Sequence, residues 1–372
     1  MIKLATFNVE NMFERAKAMN LPNWKDGKPI LSDYYELNNL IQQKKYTPAI
    51  KKKILQVMDR HQGLKTKSQS KYLRLRDIRG GLLAKPRGGP IGIKANGRSD
   101  WIGWFELERE PISEVATENT ARVIDLLDAD ILCVIEAENR TTLKRFNDEV
   151  LPVVGAKPYK HVMLIDGNDD RGIDVGILTR KHFEIGTMRS HVDDEDSKGN
   201  IFSRDCAEYE IDTPSGNTLL ILLNHFKSKG YGKQSENDAK RKRQTKRVRT
   251  IYDQRKKDGY KYIAVVGDFN EIPNNDPLSP LLRSGSDLID ISDHKTYQSD
   301  GRDGTHGNAS ASSKLDYILL SPKLAAKTKA GGVERRGVWG GTKGTLFPHL
   351  PEMKSAKDAA SDHAALWAEF DI

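Results

Sequence analysis

VVGDFNEIP, residues 265 to 273, is a buried strand that ends abruptly in polar groups. Val265 and Val266 are β-branched and apolar, as a covered strand requires. Gly267 breaks the run, Asp268 and Asn270 follow it, and Pro273 closes the turn. A carboxylate and a carboxamide two residues apart on an extended segment project to the same side. Such a pair at a strand tip has a second use beyond turning the chain: it can grip a ligand.

The same pattern recurs along the chain. Ile2 to Phe7 leads to Asn8, Ile131 to Ile135 to Glu136, and Thr218 to Leu223 to Asn224 and His225. Asp174 to Leu178 follows the polar stretch GNDDRGI, Leu315 to Leu320 contains Asp316, and Ala364 to Phe370 follows Ser361, Asp362 and His363. These runs are short and rich in Val, Ile and Leu, as in strands covered on both faces. Between them, Ser113 is placed to cap a helix over EVATENTARVIDLLDA, with Val115, Ile124 and Leu127 on one apolar face. Residues 235 to 257 form a strongly basic helix candidate. The alternation predicts an α/β protein with sheets buried under helices. In such folds ligand sites gather where loops leave the strand ends. One Asp or His there is a turn or structural residue; eight polar residues at strand boundaries point to one site.

The chain has 372 residues and a net charge of +8. That charge fits either a solvated basic surface or a polyanion partner. Two cysteines, Cys133 and Cys206, make no disulfide framework and suit a reducing compartment. The first residues read as a strand rather than a signal peptide, and no apolar run has membrane-spanning length. The expectation is a cytoplasmic protein with no membrane partner. From about 14 to 112 the pattern loosens, and residues 41 to 100 carry 16 Lys or Arg against 3 Asp. KPRGGPIGIKANGRSDW, residues 85 to 101, reads as loop. The region is expected to be a basic insertion into a single domain spanning 1–372. It is either a solvated excursion or a phosphate-tracking surface on which Tyr72, Trp101 and Trp104 stack against bases.

TFNVEN (6–11), VIEAEN (134–139), NHFKSK (224–229), GDFNEIP (267–273), LDYILLS (315–321) and SDHAAL (361–366) together resemble, in order, the motifs of the endonuclease/exonuclease/phosphatase superfamily. The resemblance implies a four-layered α/β/β/α sandwich, two mostly antiparallel sheets face to face with helices outside. It also implies a divalent-metal phosphodiesterase using Mg²⁺, with Mn²⁺ as a substitute. Glu136 would be the main metal ligand, with Asn8 and Asp362 beside it. Asp268 would orient and deprotonate the attacking water, and Asn270 would hold the phosphate or the Asp268 carboxylate. His363 would be general acid or electrostatic partner, oriented by Asp316. His225 resembles the second histidine of the deoxyribonuclease I branch. Lys227 and Arg171 would contact phosphate, and Asp174 matches a carboxylate serving that second histidine. Hydrolysis of an anionic diester needs such a set: a cation on the phosphoryl oxygens, an activated water and help for the leaving alkoxide.

For the substrate, SSKLDYILLS lacks the signature of the inositol phosphatases, and no membrane segment suggests a sphingomyelinase. Residues 227 to 261 hold 14 Lys or Arg against 4 acidic residues. With the basic insertion, this favours an endonuclease on DNA with little base readout. A phosphatase or phosphodiesterase for a small-molecule or lipid-head phosphate, and a catalytically idle nucleic-acid binder, are the alternatives. The loop GRDGTHGNASASSK before Asp316 is small and polar and reads as a mobile flap.

Overall fold

A computed structural model describes residues 1–10, 12, 16–19, 21, 24–109, 113–169, 172–230, 232–283 and 285–372. The chain divides into two compact units. One comprises Met1–Phe13, Ile112–Lys229 and Ser235–Ile372; the other comprises Glu14–Pro111 with Gly230–Gln234.

The larger unit holds two large sheets and a small hairpin, Glu195–Asp196 with Gly199–Asn200. The first runs in the order Tyr297–Gln298, Thr328–Glu334, Ala365–Phe370, Ile2–Asn8, Ile131–Ala137, Asp174–Thr179, His161–Ile165. The second runs Ile289–Asp290, Asp316–Leu320, Tyr262–Asp268, Thr218–His225, Cys206–Asp212, Glu184–Arg189. Most neighbours are antiparallel. At the centre of each sheet lies one parallel pair: Ile2–Asn8 with Ile131–Ala137, and Thr218–His225 with Tyr262–Asp268. Parallel neighbours need a crossover. The helices Glu114–Leu127 and Gln234–Lys257 lie in those two connections.

Side-chain alternation divides the core into three layers of apolar packing. Leu4, Cys133, Ile135 and Val175 of the first sheet meet Tyr209, Ile221, Ala264 and Ile318 of the second between the two sheets. On the outer face of the first sheet, Leu132, Val134 and Leu178 pack with Ile124 and Leu127 of the Glu114–Leu127 helix. On the outer face of the second, Leu220, Leu222, Val265 and Leu319 pack with Val248, Ile251 and Tyr252 of the Gln234–Lys257 helix. The result is a four-layered α/β/β/α sandwich.

Ser113 caps the first of these helices by accepting from the Ala116 N–H. The expected face holds at Ile124 and Leu127, but Val115 is exposed; Ala121 and Val123 join the sheet-side core instead. The Gln234–Lys257 helix buries an unusual mixture, Asn237, Arg241, Gln244 and Thr245 beside Val248, Ile251 and Tyr252.

The smaller unit contains the stretch that composition marks as loose, and it has a core of its own. Its helices Trp24–Ile41 and Pro48–Asp59 and its antiparallel pair Leu73–Arg79 with Ile102–Leu107 enclose Leu37, Ile54, Val57, Met58, Leu75 and Phe105. Trp101, expected to stack on bases, is only 2% exposed and sits in this core. Its Nε1 donates to Tyr46 Oη at 3.0 Å, and that hydroxyl donates to the Ile41 carbonyl at 2.6 Å. An indole so enclosed cannot meet a base. Trp104, by contrast, is 41% exposed.

Candidate active site

Two strands of the second sheet finish, and a third begins, on one line. The register pairs His225 with Asp268 and Asp268 with Asp316. Strand pairing therefore delivers an imidazole and two carboxylates to a single edge, although they are far apart in sequence. Gly267 makes this possible. Its φ is +129°, and a Cβ there would lie 1.9 Å from the Asn224 carbonyl oxygen, so only glycine lets the strands approach.

Beyond Asp268 the chain does not stay extended. Asn270 has φ +52°, and its backbone N–H donates to Asp268 Oδ1 at 2.8 Å. The carboxylate closes a turn over its own backbone, as Asp side chains do. The two side chains thus meet through a turn, not through the extended alternation expected from their spacing. Asn270 Nδ2 donates to Asp268 Oδ2 at 3.2 Å and to the Phe226 carbonyl at 3.2 Å.

The first sheet supplies the other wall. Asn8 ends its strand and donates from Nδ2 to Asp268 Oδ2 at 3.1 Å. Glu136 sits at a bulge where the pairing jumps from Ile135–Val175 to Ala137–Asp174. Its φ is +67°, a left-handed conformation that costs a non-glycine residue about 1–2 kcal/mol. The bulge changes the parity of the strand. Cys133 and Ile135 face the inter-sheet core, yet Ala137 lies with the helix-side core. Glu136 is thereby released from the alternation that would aim it under the helix. Its Oε1 lies 3.6 Å from His225 Nε2.

The last strand brings His363. Ser361 Oγ donates to the Asn8 carbonyl at 2.7 Å and accepts from the His363 N–H at 2.9 Å, which ties the two strand ends together. His363 Nδ1 meets Asp316 Oδ2 at 2.8 Å, and its Nε2 is 3.9 Å from Asp268 Oδ2 and 3.8 Å from Asp362 Oδ1. With a carboxylate at Nδ1, that nitrogen carries the proton. Burial works against a charged ring, but Asp316, Asp362 and Asp268 outweigh it and hold His363 well above the usual histidine range. Burial and the neighbouring Asp316 push Asp268 up to about 7, against the opposing pull of His363.

Several residues at this edge escaped the reading of the sequence. Arg204, 1% exposed, donates from Nε to His225 Nδ1 at 3.2 Å and sits 2.8 Å from its Nε2 through Nη2. It also binds Asp169 at 3.0 Å and the Phe226 carbonyl at 2.9 Å. Guanidinium only donates, so the imidazole nitrogen that takes the bond carries no proton. Thr305 donates to Asp316 Oδ2 at 2.6 Å, and His306 Nε2 lies 3.1 Å from Asp362 Oδ2. Both belong to GRDGTHGNASASSK, which is no free flap. Thr305 and His306 N–H groups bond the Ser313 carbonyl, Gly307 N–H bonds that of Asp362, and Ala364 N–H bonds that of Thr305. The small polar composition reflects this dense turn bonding. Arg204 had no motif to mark it.

Other expected residues lie differently. Asp174 accepts from the Gly167 N–H at 2.7 Å, and burial raises its carboxyl to about 7. Arg204 bonds the His225 ring, and Glu136 Oε1 and Asp268 Oδ2 lie 3.6 and 3.7 Å from its Nε2. Lys227 Nζ donates to the Ser228 carbonyl at 3.4 Å, and its backbone N–H to Gln244. Arg171 lies outside the described residues.

The basic helix needs a larger correction. Arg255 grips Glu208, Arg243 grips Asp196, Arg247 meets Asp194 and Lys242 meets Asp276. Arg241, fully buried, binds Glu271 at 2.9 Å. Carboxylates distant in sequence consume much of the positive charge that 227–261 shows as a string.

A family model described as the Endonuclease/Exonuclease/phosphatase family matches residues 113–363. The chain belongs to this family. It is thereby a hydrolase of phosphate esters. A crystal structure of an endonuclease/exonuclease/phosphatase family protein from Bacteroides thetaiotaomicron is similar over 69% of this chain and 88% of its own, at 18% identity and a TM-score of 0.52. A mannosyl-6-phosphatase from the same organism is similar over 69% of this chain and 92% of its own, at 18% identity and a TM-score of 0.50. No curated protein matches the chain. Enzymes of the endonuclease/exonuclease/phosphatase family generally use a divalent metal. The donors here fit one. Asp268, Asp316 and His363 offer atoms all within 4.8 Å of one another, and so do His306, Asp362 and His363. With Glu136 and the Asn8 carboxamide, the set is dominated by hard oxygens, the chemistry of Mg²⁺ and Mn²⁺ sites. No helix among the described residues is long and apolar enough to cross a membrane.

Proposed function

We propose that the chain is a divalent-metal-dependent phosphodiesterase that acts as an endonuclease on DNA with little sequence preference. The observation that carries the chemistry is the Asp268 carboxylate. Two carboxamides, Asn8 and Asn270, hold its Oδ2, and the His363–Asp316 pair stands 3.9 Å away. One oxygen can therefore touch both Asp268 and His363.

Asp268 receives the proton of the attacking water. Its raised proton affinity suits a general base near neutral pH. Asn8 and Asn270 fix which lone pairs face that water. His363, held by Asp316, presents Nε2 to a phosphoryl oxygen as a charged donor, which favours the more negative transition state. His225 makes a second contact at the phosphate, its ring set by Arg204. Glu136, Asn8 and Asp362 are the residues that would hold the metal. When bound it supplies positive charge against the phosphoryl and leaving oxygens.

Two cation-rich segments support nucleic acid as the substrate. The pairing within the Gln234–Lys257 helix weakens its share of that support and favours a second reading, a phosphatase for a small phosphate ester. The mannosyl-6-phosphatase neighbour has the same fold. The test is nicking of supercoiled plasmid by pure protein with Mg²⁺, with Mn²⁺ and with EDTA, beside Asp268→Asn. Metal-dependent nicking that the variant lacks is expected. Intact plasmid under every metal, with release of phosphate from a sugar phosphate, would replace this reading by the second.

A further inference from the structure

The smaller unit carries a cavity that this chemistry does not use. Its volume is about 540 Å³, and Arg60, His61, Lys67, Gln69, Lys71 and Tyr72 are among its walls. That size is in the range of small-ligand pockets. Three of its ten lining residues are cationic and none carries a carboxylate. A lining of that sign suits an anion.

The wall is built rather than incidental. Asp33 lies within the fold of the unit and fixes two of the residues: Arg60 Nη1 donates to its Oδ1 at 2.5 Å, and His61 Nε2 meets its Oδ2 at 3.0 Å. His61 is buried while the Arg60 side chain is half exposed. A guanidinium has five N–H donors, so this bond leaves others for a ligand. Lys67 has no ion pair among the described residues. Lys71 Nζ lies 4.9 Å from the centroid of the Tyr72 ring, so a cation and an aromatic face stand side by side. Lys85 adds a further positive charge by donating to the Thr66 carbonyl and the Ser68 hydroxyl, both at 3.0 Å. Arg with planar bonding, two lysines and an aromatic face together suit a tetrahedral phosphate with an organic group attached.

We propose that this cavity is a second phosphate-binding site, which holds the phosphate of a nucleotide, free or at the end of a strand, with Tyr72 beside the nucleoside. The inference stands on the smaller unit alone and does not depend on which ester is cleaved at the strand ends.

The test uses the full chain carrying Asp268→Asn, with labelled histidines read by NMR. It is titrated with inorganic phosphate, then thymidine 5′-monophosphate, then a 5′-phosphorylated oligothymidylate. His61 should shift saturably, while His363 reports the strand-end site separately. Lys67→Glu with Lys71→Glu should weaken the His61 response at least tenfold and leave that of His363 unchanged. Lys67→Gln with Lys71→Gln gives the milder form should charge reversal unfold the unit. Equal affinity for phosphate and mononucleotide would assign the cavity to the phosphate alone; tighter mononucleotide binding would add the nucleoside contact. A free 5′ phosphate favoured within the oligonucleotide would identify the strand end as the source. A His61 signal unmoved by all three ligands, or a response that survives both double variants, would overturn the proposal.

Discussion

Two buried carboxylates on the second sheet have opposite fates. Glu208, in the Cys206–Asp212 strand, is fully inaccessible, and Asp268, at the end of Tyr262–Asp268, is 1% exposed. Burial raises both. Glu208 nevertheless falls to about 2, because Arg255 binds it through two bonds of 2.6 and 2.8 Å and His191 through one of 2.7 Å. Asp268 rises to about 7, because no guanidinium or ammonium among the described residues binds it: carboxamides hold it, two imidazoles stand 3.7 and 3.9 Å away, and its neighbour Asp316 is negative. The fold completes the charge balance of the first and leaves the second to a proton, a cation or a substrate. Electrostatic completion, more than burial, separates structural from functional carboxylates here.

The sharpest break in this contrast is removal of the functional group. Asp268→Asn is expected to lower plasmid nicking by about 10³-fold or more, and His363→Ala by about 10²-fold or more, with unchanged circular dichroism. Normal turnover in either pure variant would end the assignment. A folded-state carboxyl raised above its unfolded value binds protons on folding, so its contribution falls as pH climbs from about 4 to 7. Asp268→Asn should therefore be at least as heat-stable as the parent at pH 8 without divalent ions.

Glu208→Gln should act in the opposite sense: no direct loss of chemistry, but a loss of roughly 3 kcal/mol of stability at pH 7 in urea melts. A carboxylate lowered to about 2 contributes its stability above the unfolded value near 4.5 and loses it as pH falls through 2. The acid limb of the parent's stability curve should accordingly flatten in this variant. A curve that keeps its steepness would assign the acid sensitivity elsewhere.

Gly267→Ala tests the geometry beneath Asp268. The added Cβ would meet the Asn224 carbonyl at a backbone angle that L-residues avoid, and about 2 kcal/mol or more should be lost in thermal melts. The smallest effect separates the two carboxylates by ligand. Millimolar Mg²⁺ or Mn²⁺ should raise the melting temperature of the parent by a few degrees, through binding to the native state alone, and EDTA should reverse it. Glu208→Gln should keep this response, and Glu136→Gln should lose most of it.

The legibility of the chain follows the range of the forces involved. Strands read well where their apolar runs end in polar residues, as at Asn8, Asn224 with His225, and Asp268, because burial writes itself into local composition. The six motifs marked the residues that converge, and Ser113 announced its helix through capping chemistry. The basic helix was legible as a helix and misleading as a surface. The acids that neutralise it, Asp194, Asp196, Glu208, Glu271 and Asp276, come from other segments.

By itself the sequence determined the layered α/β class, the order of the strand ends and the residue types suited to a phosphate ester. Tertiary structure alone decided how they are used. It set the turn that folds Asn270 onto Asp268, the bulge that releases Glu136, the placing of Arg204 against His225 and the burial of Trp101. Each depends on a partner tens to hundreds of residues away or on a backbone angle that composition does not encode. The local pattern records whether a side chain is covered; only the folded chain decides what covers it and with which charge.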